Sequence, residues 1–377
     1  MNFLFISPNH PSVNTQLACA LSRAGANVLG IGDAGLESLT PELRDSLAAY
    51  YYVKDLHDYE SVYRAVAHYI SHYGKIERLE SFIPYWYPLE EQLRHDYRIN
   101  GRKHSKPLSL AEAKAADIAV PEHRAISSSR QGGAFAKKHG YPAYIRYCSL
   151  WQPDVTIEKS SALKPVDFAQ KPEIFTLPKG DFLCVDGFRT AKDSNIFTVY
   201  YSLAEDSTPQ KQQYFYTYSG KLPSEKLIND ILRLYNISNS FFHIELLVQG
   251  EKFLLLKAGE ALPFEFPLEA ISLDTGRNAY DIWASLQTGG RAPKSSPLQS
   301  SNQSMILCTG RDFNRSYAHS HSEVLAELGG RLLSHRLSKS GFKTDYIYYF
   351  KSDSLKEANE LINYINIDFG VDEFEQA

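Results

Sequence analysis

His68 and His72 stand four residues apart, a spacing that puts two imidazoles on one helical face where both can touch one metal ion. No third ligand accompanies them, so two surface histidines are expected. His319 and His321 fall in a polar run with Ser320, Ser322 and Glu323, where Ser320 or Ser322 can cap a helix. Gly30-Ile31-Gly32-Asp33 carries two glycines of a nucleotide fingerprint, but it follows the second strand and lacks the third glycine. Gly32 is expected instead to let the chain turn at a strand end. No G-x-S-x-G is present, which leaves no nucleophile elbow. Cys19, Cys148, Cys184 and Cys308 are widely separated, without a C-x-x-C pair or zinc-like histidine spacing. They are expected to be small buried hydrophobes in a reducing compartment.

These residues have to be placed on elements. Phe3–Ser7 reads as a strand ended by the turn cluster Ser7-Pro8-Asn9-His10-Pro11. Leu17, Ala20, Leu21 and Ala24 share a helical face over Asn14–Ala24, and Gly25 stops that helix. Asn27–Gly32, Tyr50–Val53 and Ile76–Phe82 are the next strands, with a helix marked by Val62, Val66, Tyr69 and Ile70 before the last. Strands alternating with helices predict a Rossmann-like parallel sheet covered on both faces. The basic stretch Asn100–Pro107, with Arg102, Lys103, His104 and Lys106, reads as a solvated linker. Helices over Leu110–Ile118 and Gly133–His139 and a strand over Tyr141–Tyr147 follow. From Asp181 the pattern becomes antiparallel: Phe182–Phe188, Ile196–Leu203 and Gln213–Tyr218, then a helix over Ser224–Tyr235. Phe241–Val248 and Lys252–Leu256 form a hairpin around Gln249-Gly250-Glu251. Asn278–Leu286 is helical, and Gly289–Gln303 is a Gly/Pro/Ser-rich loop. A strand over Met305–Thr309, helices near Glu323–Leu328 and Leu355–Ile365, and a strand over Tyr346–Phe350 complete the reading. The run Tyr214–Tyr218 alternates as a strand should, which points to packing, not base stacking.

The composition narrows the function classes. A chain of 377 residues is too long for one core and predicts two or three domains. With 43% hydrophobic and 22% charged residues it is ordinary for a globular protein. A formal charge of -4 gives no electrostatic case for nucleic acid. No apolar run approaches the roughly 18–20 residues that cross a bilayer. Met1–Ser7 reads as a strand without a signal-peptide pattern, so a cytoplasmic protein is expected.

A Rossmann-like domain, a small α/β lobe and an antiparallel lobe ending in a hairpin resemble, in that order, the ATP-grasp carboxylate–amine ligases. Phe242-His243-Ile244-Glu245-Leu246-Leu247 looks like the strand supplying the first acidic magnesium ligand. Leu256-Lys257-Ala258-Gly259-Glu260-Ala261-Leu262-Pro263 sits where the family has its E-x-N-x-R motif. Phe5-Ile6-Ser7-Pro8-Asn9, Val28–Asp33, Tyr73–Glu77 and Glu80-Ser81 resemble one branch's entry domain, and His319–Glu323 with Asp345-Tyr346 its C-terminal segment. The likeness implies an α/β ATP-grasp fold in three parts: residues 1–104 Rossmann-like, 105–176 the small lobe, and 177–377 the antiparallel α+β lobe with a C-terminal extension.

Active members use ATP and magnesium to make an acyl-phosphate that an amine displaces. That chemistry needs hard oxygen ligands and cationic phosphate contacts. By the resemblance Glu245 remains as a metal ligand. Lys257 replaces the second acid, Gly259 the asparagine and Ala261 the arginine. Arg146 stands for the phosphate-contacting lysine, a change that keeps the cation. The glycine loop reads Cys148–Pro153 with no glycine, and Phe175-Thr176-Leu177-Pro178 lacks the hinge acids.

The expectation is therefore a degenerate, non-catalytic homologue with no ATP, magnesium or other cofactor. Its role would be to partner or regulate an active ATP-grasp homologue in a small-molecule or peptide-tailoring pathway, or to self-associate. The competing expectations are two. One is an active ATP-dependent ligase, with Arg146 and Glu245 binding the cofactor and Glu260 or Glu265 as substitute ligand. The other is a small-molecule binding protein that uses the old cleft. Lys257 is expected opposite Glu245, its ammonium standing roughly where the ion would be.

Overall fold

Asn2–Ile6 form β1, a run buried along its whole length and so suited only to the interior of a parallel sheet. The computed structural model describes residues 1–100, 108–147, 154–192, 195–205, 213–260, 265–290, 304–311, 315–340 and 343–367. In it β1 pairs in parallel with β2 (Asn27–Gly32) and β4 (Arg78–Glu80), and β2 with β3 (Ala49–Tyr52), in the order β3-β2-β1-β4. Helices α1 (Ser12–Arg23), α2 (Pro41–Ser46) and α3 (Tyr59–Tyr73) connect these strands, and α4 (Tyr87–Tyr97) follows them. Leu17 and Leu21 of α1 join Phe3 and Phe5 in one core. Val62, Val66 and Tyr69 of α3 join Leu4 and Ile6 in another, so both faces are covered. The parallel sheet is the one the sequence predicts.

Two glycines there have a steric reason. A Cβ at Gly32 would lie 2.5 Å from the Tyr50 hydroxyl, and one at Gly30 would lie 3.0 Å from the Tyr50 ring. Tyr50 donates to the Ala34 carbonyl at 2.7 Å. The glycines make room for a tyrosine that ties down the loop after β2. Asn14, fully buried, donates to the carbonyls of His10 (2.9 Å) and Ser81 (2.7 Å) and so holds two loops at the sheet's end.

The second sheet is small and antiparallel. Its strands are β5 (His123–Ala125), β6 (Ala143–Arg146), β7 (Val155–Ile157) and β8 (Glu173–Thr176), in the order β5-β8-β6-β7. Helix α6 (Ser129–His139) packs Phe135 and Ala136 into its core, while α5 (Leu110–Ala115) buries Ala113 in the core that holds Phe242 and Ile244. The buried carboxylate of Glu173 accepts from Leu110 N at 2.7 Å and Ala111 N at 3.2 Å, meeting the positive end of α5.

The third sheet has eight antiparallel strands: β9 (Asp181–Arg189), β10 (Asn195–Glu205), β11 (Gln213–Thr217), β12 (Ser240–Gln249), β13 (Lys252–Gly259), β14 (Met305–Arg311), β15 (Leu332–Ser340) and β16 (Lys343–Ser352). Their order is β13-β12-β9-β10-β11-β14-β16-β15. Helix α7 (Glu225–Leu234) packs Ile228, Ile231 and Leu232 under β12. Helices α8 (Glu265–Thr275) and α9 (Ala279–Gln287) share the core of the opposite face, and α10 (His321–Leu328) and α11 (Leu355–Asn366) pack at the far end. The tyrosine run is packing, as expected: Tyr214 and Tyr216 face one core and Phe215 another.

Helices α2, α4 and α8 and strands β5, β7, β8 and β15 have no counterpart in the sequence reading. Helix α8 is apolar on most sides and carries Pro267. Strand β15 is an edge strand, Leu332–Ser340, with too many polar residues to show an apolar alternation. The expected boundary at residue 104, the segment 148–153, Ala261, and 291–303 of the expected loop lie outside the described residues. Among the described residues no helix is long and apolar enough to cross a membrane.

One aromatic contact joins the first and third sheets. Trp283 of α9 lies 5.8 Å from Phe82, 5.9 Å from Phe241 and 6.2 Å from Phe3, ring to ring. It is 1% exposed. Trp283→Ala is expected to cost about 3–5 kcal/mol in urea unfolding, against under about 0.5 kcal/mol for an alanine at exposed Tyr52. Equal losses would mean that this contact does not hold the sheets together.

Candidate functional site

β12 alternates by residue, and that alternation builds the site. Phe242, Ile244 and Leu246 face α7, which leaves Phe241, His243 and Glu245 on the opposite face. The neighbouring strand sets Asp186 directly across from His243 and Cys184 across from Glu245. His243 Nδ1 lies 2.6 Å from Asp186 Oδ1, and its Nε2 lies 3.1 Å from Glu245 Oε1. The Tyr201 hydroxyl donates to Asp186 Oδ2 at 2.7 Å.

The protonation state follows from this geometry. An imidazole facing carboxylate oxygens at both nitrogens donates at both only as imidazolium. Burial opposes that charge, but Asp186 and then Glu245 outweigh it and push the His243 pKa up to about 10. Burial also pulls on Glu245 in the unfavourable direction. The His243 hydrogen bond and charge, with Lys257 and Arg146 further out, hold its carboxyl below the usual range. Asp186 is fully buried, whereas the Glu245 side chain keeps 35% exposure and reaches the open side. Burial, aided by Asp186 and Glu245, pushes the Cys184 thiol far up, which leaves it protonated and unreactive.

Lys257 does stand opposite Glu245, as the hairpin predicts. It does not stand in for an ion, however. It is exposed, and the cation bonded to Glu245 is His243. The pairing passes from Glu245↔Lys257 to Leu246↔Leu255, so Leu256 is the extra residue of a β-bulge. Gly259 lies opposite His243, and a Cβ there would meet nothing within 4 Å. No steric demand requires glycine at that position.

Arg146 of β6 reaches across to this bulge. Its Nη1 donates to the Leu256 carbonyl, while Nε and Nη2 bond Asp154 at 2.9 and 2.5 Å. The guanidinium also lies 4.9 Å from the Phe175 ring centre. Burial depresses its pKa, but Asp154 and Glu245 raise it by more, so the charge is fixed. Beside it Leu177, in the expected hinge, packs on Leu247, Leu254 and Leu256.

The remaining candidates go elsewhere. Glu265 is ion-paired with Arg336 at 2.5 Å. Burial, then Glu90, Glu260 and Glu80, push the Tyr87 phenol pKa up, so Glu260 is felt on the side of the first sheet. His68 and His72 are exposed, their rings 4.1 Å apart on α3. Among the described residues no three His, Cys, Asp or Glu side chains are grouped to hold a metal. Ser320 caps α10 in a capping box with Glu323, and His319 stacks on Tyr364 at 3.8 Å. Cys19, Cys184 and Cys308 are free. Sequence reasoning overlooked His243, Asp186 and Tyr201. A polar pair at i and i+2 within an apolar strand was the available signal for the first.

The chain of charges makes two predictions. The His243 pKa is higher folded than its ordinary 6.5, so its contribution is complete below about pH 6.5 and fades as pH rises through about 10. His243→Gln is expected to cost about 3–5 kcal/mol near pH 6, with the gap to wild type closing toward pH 10. A pH series of urea melts measures this, and a gap independent of pH contradicts the imidazolium. Lys257→Glu places two exposed-side carboxylates opposite each other and should cost under about 1 kcal/mol by the same melts. A larger loss than at His243 would restore Lys257 as the principal cation.

No protein-family model and no curated protein sequence matches this chain. Solved structures do. An L-amino acid ligase from Bacillus licheniformis superposes with a TM-score of 0.67 at 11% identity, over 96% of this chain and 97% of that one. The N5-carboxyaminoimidazole ribonucleotide synthetase of Thermus thermophilus gives 0.64 at 10%, over 98% and 100%. Phosphoribosylglycinamide synthetase from Anaerococcus prevotii gives 0.62 at 7%, over 97% of both chains. At such identities the likeness shows the fold: the parallel sheet, the small lobe and the large antiparallel sheet are arranged as in these ligases and synthetases, which is the ATP-grasp fold.

Proposed function

We propose that this chain is a non-catalytic protein of the ATP-grasp fold that acts by binding, as a partner or regulator of an active ATP-grasp ligase. The observation that carries the reading is the imidazolium of His243 between Asp186 and Glu245. In an active ligase of this fold an acid at the Glu245 position is expected to face magnesium. Here that carboxylate already has a cation, and Lys257 and Arg146 add positive field around it. Lys257 is exposed and its repulsion of a cation is screened, so the imidazolium bonded to Glu245 is the charge that opposes a metal ion there. The residues present do not fit a bound magnesium ion.

The phosphate and base contacts fare no better on this reading. Arg146 is engaged by Asp154 and the Leu256 carbonyl, so three of its five N–H donors are committed within the protein. Leu177 packs on the leucines at the bulge, in a segment without the acids expected of the hinge. A complete fold without its chemistry is useful as a binding surface, and an active homologue is the partner of this reading.

The partly exposed Glu245 favours one second reading, an active ligase with an altered site. Calorimetry with Mg·ATP separates the two. No saturable heat is expected up to millimolar nucleotide. A micromolar dissociation constant, or phosphate release with any carboxylate–amine pair, would overturn the non-catalytic reading. Affinity capture from the native cell should recover an ATP-grasp ligase. A clean monomer that captures nothing would remove the partner role.

A further inference from the structure

Arg311 closes β14 at the end of the large sheet away from His243, and it is 5% exposed. Its Nε donates to the Ile365 carbonyl at the end of α11, at 2.5 Å. Its guanidinium lies 4.4 Å from the Tyr317 ring centre and 5.9 Å from that of Tyr348. Among the described residues Nη2 has no hydrogen-bond partner and no carboxylate pairs with the group. Arg189 bonds the Asn229 amide at 3.4 Å, and three other substantially buried arginines hold carboxylates. Arg94 lies 2.8 Å from both Glu80 and Glu90, Arg146 holds Asp154, and Arg336 holds Glu265. The partners of those three raise their pKa values, whereas burial dominates at Arg311 and lowers it. A buried guanidinium without a counter-charge is costly, and a protein that keeps one has a use for it.

A second observation at the same place points the same way. His321, the first residue of α10, stacks on Tyr346 at 4.1 Å and meets the Tyr348 hydroxyl at 2.9 Å through Nδ1. Its ring lies 5.1 Å from that of His335 on β15. Burial, then His335 and Arg311, hold its pKa below the usual value. Three nitrogen-rich side chains from β14, α10 and β15 therefore converge around Tyr346 and Tyr348, and the first and last of them disfavour positive charge on His321. An anion among them would offset that repulsion.

We propose that Arg311, with His321, His335 and the Tyr348 hydroxyl, forms a binding site for the oxyanion of a small molecule, a phosphoryl or carboxylate group. Arginine is suited to either through its planar fork of donors. Nη2 is enclosed, so the ligand enters as the half-buried Tyr317 ring moves off the guanidinium. The site lies on the third sheet's outer strands, apart from the Glu245 face, and does not depend on the non-catalytic reading.

The test uses the full chain, titrated by calorimetry with sodium phosphate and with sodium acetate against sodium chloride at equal ionic strength, and melted in the same buffers. At least one of the two anions is expected to bind saturably in the millimolar range or tighter and to raise the melting temperature. Phosphate alone assigns a phosphoryl ligand and acetate alone a carboxylate. Arg311→Gln should weaken binding by about tenfold or more, the loss of a charged bidentate contact, and His335→Gln by several-fold. If Arg311→Gln fails to fold, Arg311→Lys keeps the charge without the fork and should still weaken binding, and exposed His335 gives an independent variant. Absence of saturable binding of both anions overturns the site. So does an anion-dependent rise in melting temperature that is equal in wild type and the Arg311 and His335 variants.

Discussion

A carboxylate with no exposure to water has to have a cation beside it or give up its charge, and Asp186 is such a carboxylate. The strand beside it supplies the cation. Because side chains alternate along β12, His243 arrives across from Asp186 and brings Glu245 onto the same face two residues later. The imidazole then bridges the two acids, with Tyr201 completing the buried end and Glu245 the half-open one. A one-residue slip of β12 would drive His243 and Glu245 into the apolar layer against α7 and expose Phe242 and Ile244. The ion chain and the hydrophobic layer thus demand the same register.

That demand explains why the fold is legible in the sequence while the site is only half so. Strand and helix alternation in the first hundred residues, the breaker Gly25 and the Gly250 turn are local signals, and each falls where the structure has an element boundary. Edge strand β15 and helix α8 lack a clean period, because one has little to bury and the other is surrounded. Glu245 and Lys257 could be paired from the length of the hairpin loop. His243 was passed over because a histidine within an apolar strand announces nothing until its neighbour across the ladder is known. Asp186 is more than fifty residues away in the chain. Only the pairing of β9 with β12 makes the two a unit, and pairing between distant strands is the part that local pattern does not encode.

The β-bulge at Leu256 links this ion chain to the small lobe. An extra residue in β13 turns a carbonyl out of the ladder, and Arg146 takes it. The same guanidinium is held in plane by the two oxygens of Asp154 and rests near the Phe175 ring. The planar fork accounts for this: three directions of donation in one plane reach a carboxylate on one side and a backbone oxygen on the other, which a lysine ammonium would not match in the same geometry. The small sheet and the large sheet are therefore joined by a charge that is satisfied on both sides of the contact.

Two arrangements of buried positive charge coexist in this fold, and their difference is physical. At His243 and Arg146 the counter-charges are covalent parts of the same chain, so the pairs form when the chain folds and cannot be exchanged for a ligand without breaking contacts that stabilise it. At Arg311 the folded chain offers aromatic faces and a backbone carbonyl but, among the described residues, no carboxylate. Quadrupoles and dipoles soften the cost of burying a cation without cancelling its charge. An internal ion pair closes a site by making it self-sufficient. A cation left with dipoles alone keeps an unfilled electrostatic demand, and only a group from outside those described residues can meet it.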